Sequence, residues 1–96
     1  MGVNEFLKDK RNAVLAIALK HGAKNVRVFG SLARGEAGAQ SDVDMLVKME
    51  KGRSLLDLVA LDDELEALLG CKVDVLSENG VSPHLRERIF AEAVTV

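Results

Sequence analysis

Apolar and polar positions alternate along the chain in a way that divides it into a short series of elements. Over residues 4–20, Phe6, Leu7, Lys10, Val14, Ile17 and Ala18 recur at helical spacing and predict one helix, Ala-rich and imperfect in its stripe. Asn4 is placed to cap its start, and Gly22 to end it just past His21. His21 reads as a surface residue that offsets the helix dipole rather than as a ligand. Residues 26–29, "VRVF", predict a strand that Gly30 breaks, and residues 43–49, "VDMLVKM", predict a second. Residues 31–41 between them leave room for one or two helical turns and a loop. Ser54, with Asp57 three residues on, is a capping-box arrangement. Leu55, Leu58, Leu61, Leu65, Leu68 and Leu69 follow at helical spacing, and Gly70 stops the helix. Residues 72–76, "KVDVL", predict a third strand, and Ser82-Pro83 opens a last helix to about Ala91. Residues 94–96 read as a strand or a frayed end.

The resulting order is α, β, short α, β, α, β, α. The strand–helix–strand unit over residues 43–76 is a crossover, so its two strands should be parallel and close neighbours. The shorter connection between residues 29 and 43 suits antiparallel neighbours. The expected fold is α/β (α+β), a small mixed sheet with flanking helices, in one domain spanning residues 1–96.

Composition narrows the function classes. Hydrophobic residues make up 48% and charged residues 29%, which excludes a disordered chain. A net charge of −2 argues against a free-standing nucleic-acid binder, so direct nucleic-acid binding is not expected. Phe6, Phe29 and Phe90 sit in apolar contexts that suit a core better than a base-stacking platform. Cys71 is the sole cysteine, so no internal disulfide forms, and a small buried hydrophobe is its expected role. No apolar run is long enough for a membrane span or a leader, so a cytoplasmic protein without a membrane partner is expected.

The chemistry gathers at "GSLARGEAGAQSDVD", residues 30–44. Asp42 and Asp44 are two apart and share one face of a strand, while Val43, Met45 and Val47 take the other. Two like charges about 4 Å apart repel by about 4 kcal/mol at an effective dielectric near 20. Asp74, between Val73 and Val75, comes level with that pair if the third strand is parallel to the second. Three converging carboxylates call for a hard divalent cation with oxygen ligands, and Mg²⁺ shared with phosphate oxygens answers that need. Gly30 lets a phosphate approach the backbone, and Ser31 at the start of a short helix would present its amide and hydroxyl to an anion.

These residues together resemble the minimal nucleotidyltransferases of the DNA polymerase beta-like nucleotidyltransferase superfamily. The matching pattern is Gly30-Ser31, ten residues, Asp42-x-Asp44, then Asp74 on a later strand; the Ser31–Ala37 run and Ser41 also match. The resemblance implies that Asp42 and Asp44 bind both ions of a two-Mg²⁺ site. It implies that Asp74 binds the catalytic ion and helps activate the attacking hydroxyl, and that Gly30 and Ser31 hold the phosphates of the substrate ATP. The reaction would be in-line attack on the α-phosphorus of a nucleoside triphosphate, releasing pyrophosphate. Arg34 and Glu36 match an extended motif; Arg34 reads equally as a phosphate contact or as a surface charge.

Larger members of the superfamily carry a second domain for the acceptor, which these 96 residues do not accommodate. Small members resemble MntA-type antitoxins paired with a helical ribonuclease toxin of the HEPN class, and the expected role is transfer of AMP to a tyrosine of that toxin. The chain has no tyrosine, so tyrosine self-modification is excluded. The alternative is a non-catalytic binding module that neutralises its partner by contact; an enzyme acting on a small molecule such as an aminoglycoside is a weaker third.

Overall fold

The computed structural model describes residues 3–35 and 42–96. Strands β1 (Ala23–Phe29), β2 (Val43–Met49), β3 (Val73–Ser77) and β4 (Val94–Thr95) form one mixed sheet in the order β3-β2-β1-β4. β2 and β3 are parallel, joined by the crossover helix α3 (Leu55–Leu69). β1 is antiparallel to β2, as the short connection predicted, and it is also antiparallel to β4. The C-terminal residues are therefore a strand: Val94 pairs with Val28 and Thr95 with Arg27, and Val96 N–H donates to Val26 C=O at 3.0 Å.

Both faces of the sheet are covered, which explains the unbroken apolar run Met45-Leu46-Val47, each 0% exposed. On one face Val28, Val43, Met45, Val47 and Val73 pack with Leu61 and Leu65 of α3 and with Val14 and Ala18 of α2 (Arg11–Lys20). On the other, Leu46 packs with Val81 and with Ile89 of α4 (Pro83–Glu92), joined by Phe29, Leu76 and Phe90. Pro83 occupies the first turn of α4, as its place after Ser82 predicted. The Phe90 ring is flanked by the Arg27 and Arg86 guanidinium groups, 5.2 and 4.6 Å from its centroid, so it is a packing element of this second core.

Several element boundaries differ from expectation. The single helix over residues 4–20 is broken into α1 (Val3–Leu7), a 3₁₀ turn (Lys8–Lys10) and α2. The run Lys8-Asp9-Lys10-Arg11-Asn12 is exposed throughout, offers the core no anchor, and holds Lys8 at φ +35°; Lys10 thus leaves the stripe. The break leaves both Val3 and Leu7 buried. β1 begins three residues earlier than predicted, because a bulge between Lys24 and Arg27, with Asn25 at φ +50°, lets the strand continue through polar positions. Leu55 is 72% exposed, since α3 meets the sheet only from Leu58 onward. The capping box itself is present, with Ser54 N–H donating to Asp57 Oδ2 at 2.9 Å.

Asn4 lies inside α1 rather than before it, and its side chain is outside what is described, as are Glu36 and Ser41. Gly22 adopts φ +78° past the end of α2. Half-buried His21 approaches Glu64 Oε2 at 3.3 Å rather than standing in solvent. Cys71 is a free thiol half-buried against the core, and burial pushes its pKa up. Among the described residues no helix is long and apolar enough to cross a membrane.

Candidate active site

The parallel pairing of β2 with β3 puts Asp44 directly beside Asp74, and Val43 N–H donates to Lys72 C=O at 3.0 Å, tying the two strand starts together. Val43, Met45, Val73 and Val75 are buried on the α2/α3 side, so Asp44 and Asp74 project to the face that α4 covers. Asp42 stands exposed immediately before β2; Asp44 is half-buried and Asp74 exposed.

Antiparallel pairing brings the end of β1 to the start of β2, with Phe29 opposite Asp44. Gly30 then lies against the Asp44 carboxylate. A Cβ at Gly30 would overlap Asp44 Oδ2 and sit 3.3 Å from its Cγ, and the backbone there has φ +76°. The backbone conformation calls for glycine, and an added Cβ would also oblige the Asp44 carboxylate to move. Half-buried Ser31 opens a turn over residues 31–35, in which Arg34 N–H donates to Gly30 C=O at 3.2 Å and Gly35 N–H to Leu32 C=O at 3.1 Å. This is a turn and not the helix start expected from the sequence, so a helix dipole is not what would draw an anion to Ser31.

Two groups of acids at this end were not anticipated. Glu92, the last residue of α4, accepts from Gly30 N–H at 2.7 Å and from Arg34 Nη1 at 2.9 Å through the same Oε1. Arg34 is thereby held at the acid cluster, which favours its reading as a site residue over a bystander surface charge. On α3, Glu66 Oε2 accepts from Val73 N–H at 3.1 Å, and Asp62 lies one turn before it. Burial, with the neighbouring Glu66 and then Asp74, raises the Asp62 pKa to about 6. No local pattern marks these residues, because their role depends on how each helix is rotated against the sheet.

Electrostatics ties the cluster together. Burial raises the Asp44 pKa, as do the charges of Asp74, Asp42 and Glu92, and Arg34 opposes them. Among the described residues no group of three or more His, Cys, Asp or Glu is close enough to hold a metal ion. The convergence of Asp42, Asp44 and Asp74 is therefore looser than a closed three-ligand cage. The donor set still fits Mg²⁺, which takes one or two carboxylates and completes its shell with water and phosphate oxygens. A separate cavity of about 570 Å³ lies at the opposite ends of β2 and β3, lined by Lys48, Lys51, Arg53, Leu55 and Ser77, and contains none of these acids.

The family pattern described as a nucleotidyltransferase domain matches residues 5–96. The chain belongs to the nucleotidyltransferase domain family. A Methanocaldococcus jannaschii relative named as a protein adenylyltransferase is 48% identical over the whole of this chain and 99% of its own length. The protein adenylyltransferase MntA of Thermococcus cleftensis is 40% identical over 80% of this chain and 78% of its own. A solved structure described as a minimal nucleotidyltransferase is 52% identical, with TM-score 0.86 over 96% of this chain and 94% of that one. A toxin–antitoxin crystal structure with AMP-PNP shares the nucleotidyltransferase fold at 18% identity, with TM-score 0.78 over 90% of this chain and 71% of that one.

Proposed function

We propose that this nucleotidyltransferase transfers AMP from ATP to a hydroxyl of a partner protein, a tyrosine of a helical HEPN-type ribonuclease toxin, and acts as its antitoxin. The observation that carries the reading is the in-register Asp44–Asp74 pair, flanked by Asp42 and packed against the Gly30-Ser31 turn. The adenylyltransferase names of relatives matched along most of their length support the transferred group. The toxin–antitoxin structure that shares the fold supports the class of partner.

The acceptor oxygen attacks the α-phosphorus, the bond to pyrophosphate breaks, and the hydroxyl proton passes to the Asp74 carboxylate. Asp42, Asp44 and Asp74 would hold the Mg²⁺ ions, which when bound neutralise phosphate charge and align the reacting oxygens. Gly30 admits the phosphates to the backbone without a side chain in the way, and Ser31 and Arg34 bind them.

Intact-mass measurement of the partner, before and after incubation with the chain, ATP and Mg²⁺, tests the reading. A gain of one AMP is expected, lost in Asp42→Asn with Asp44→Asn while circular dichroism stays native. Neutralisation of the partner with no mass change would instead establish a binding module that works by contact.

A further inference from the structure

We propose that Glu92 is a built-in stand-in for a nucleotide phosphate: its carboxylate occupies the Gly30 amide and Arg34 until the triphosphate displaces it, and so weakens nucleotide binding. The proposal rests on the assignment of Gly30, Ser31 and Arg34 to the phosphates. A backbone N–H this close to the core needs an acceptor, and the one Gly30 has is not a carbonyl but a side-chain carboxylate at 2.7 Å. The same oxygen takes the Arg34 guanidinium at 2.9 Å. One anionic oxygen bridging an amide and a guanidinium is the arrangement that a phosphate oxygen would make there.

The position of Glu92 argues that these contacts are what hold it. It ends α4, where the helix dipole disfavours an acid, and the last turn carries no basic residue. It also adds negative charge beside Asp44. The Gly30 amide and Arg34 are the contacts that offset both effects. An incoming triphosphate is also negative and seeks the same two donors, so the two anions exclude one another. The chain end around Glu92 stays anchored meanwhile, because Val96 N–H donates to Val26 C=O and its carbonyl accepts from Arg11 Nη2 at 3.2 Å. The motion required is confined to the side chain.

Calorimetric titration with ATP and Mg²⁺, alongside steady-state kinetics, tests this on the wild type, Glu92→Gln and Glu92→Ala. The amide of Glu92→Gln still accepts from Gly30 N–H but without charge, so ATP should bind about fivefold tighter. KM for ATP should fall correspondingly, with kcat within about twofold of wild type. Glu92→Ala should melt lower than wild type alone, and the gap should narrow at saturating ATP, because the phosphate takes over the vacated donors. Weaker ATP binding in Glu92→Gln, or a melting gap in Glu92→Ala that ATP leaves unchanged, would overturn the proposal and make Glu92 a structural brace. If wild type binds ATP and Glu92→Gln binds it equally, the stand-in role fails while the phosphate site survives. If neither binds, the phosphate site itself is wrong and the proposal falls with it.

Discussion

At Gly30 one residue carries both a conformational and a steric demand. Gly30→Ala forces a side chain into φ +76° and against the Asp44 carboxylate. Backbone strain alone costs about 1–3 kcal/mol, and displacing Asp44 should lower transfer at least about a hundredfold; a melting curve and an AMP-transfer assay on the same sample check both. Asp62 makes a different prediction. Its pKa is raised to about 6 from the usual 3.8, so between those values the folded state binds more protons than the unfolded. Its contribution is intact below the lower value and is lost as pH rises through the upper one. Asp62→Asn should therefore raise the melting temperature at pH 8 by about 3–6 °C and leave it unchanged near pH 4; an equal gain at both would rule out ionisation as the cause. The placement of Asp44 beside Asp74 was readable in the sequence because a strand's period of two and a parallel register leave few alternatives, and the antiparallel return of β1 brings Gly30 to Asp44. Glu92 and Asp62 were not readable in this way, since a helix can turn an acid toward solvent or sheet with no change in its own pattern.

The elements show where local pattern and packing part company. The capping box at Ser54 and the stop at Gly70 set the ends of α3 as written in the sequence, but the leucines between do not contribute equally. Leu61 is 0% exposed and Leu56 79%. Leu61→Ala should cost about 2–5 kcal/mol, whereas Leu56→Ala should stay within about 0.5 kcal/mol; chemical denaturation of the two variants measures the contrast. Equal losses would mean that the first turn of α3 is covered in solution. The same gap explains the first helix. Periodicity carried it across residues 8–12, yet the exposed polar run Lys8–Lys10 cannot hold a helix to a core, and the chain turns there so that Val3 and Leu7 bury. β4 was ambiguous because two residues carry almost no pattern of their own; β1 supplies its partner.

Across the whole molecule the acids are unevenly placed. A net charge of only −2 hides the gathering of Asp42, Asp44, Asp74, Glu92 and the Asp62–Glu66 pair about one end of the sheet. Among the described residues that act on Asp44, Arg34 is the one that lowers its pKa. Such clustering opposes folding, and of these acids Asp42, Asp44 and Asp74 are the ones whose charge the proposed metal–nucleotide site would use. Replacing Asp42 and Asp44 together by Asn should thus raise the melting temperature of the protein alone, by about 2–6 °C. Mg²⁺ with ATP should reverse the ranking. A ligand at a hundred times its Kd stabilises the native state by about 2.7 kcal/mol, and the Asn variant, lacking the carboxylates that would hold the metal, should gain almost nothing. The order of the two melting curves should therefore invert between ligand-free and ligand-saturated samples. A variant less stable than wild type under both conditions would mean that these carboxylates brace the fold, and the metal–nucleotide assignment would lose its physical basis.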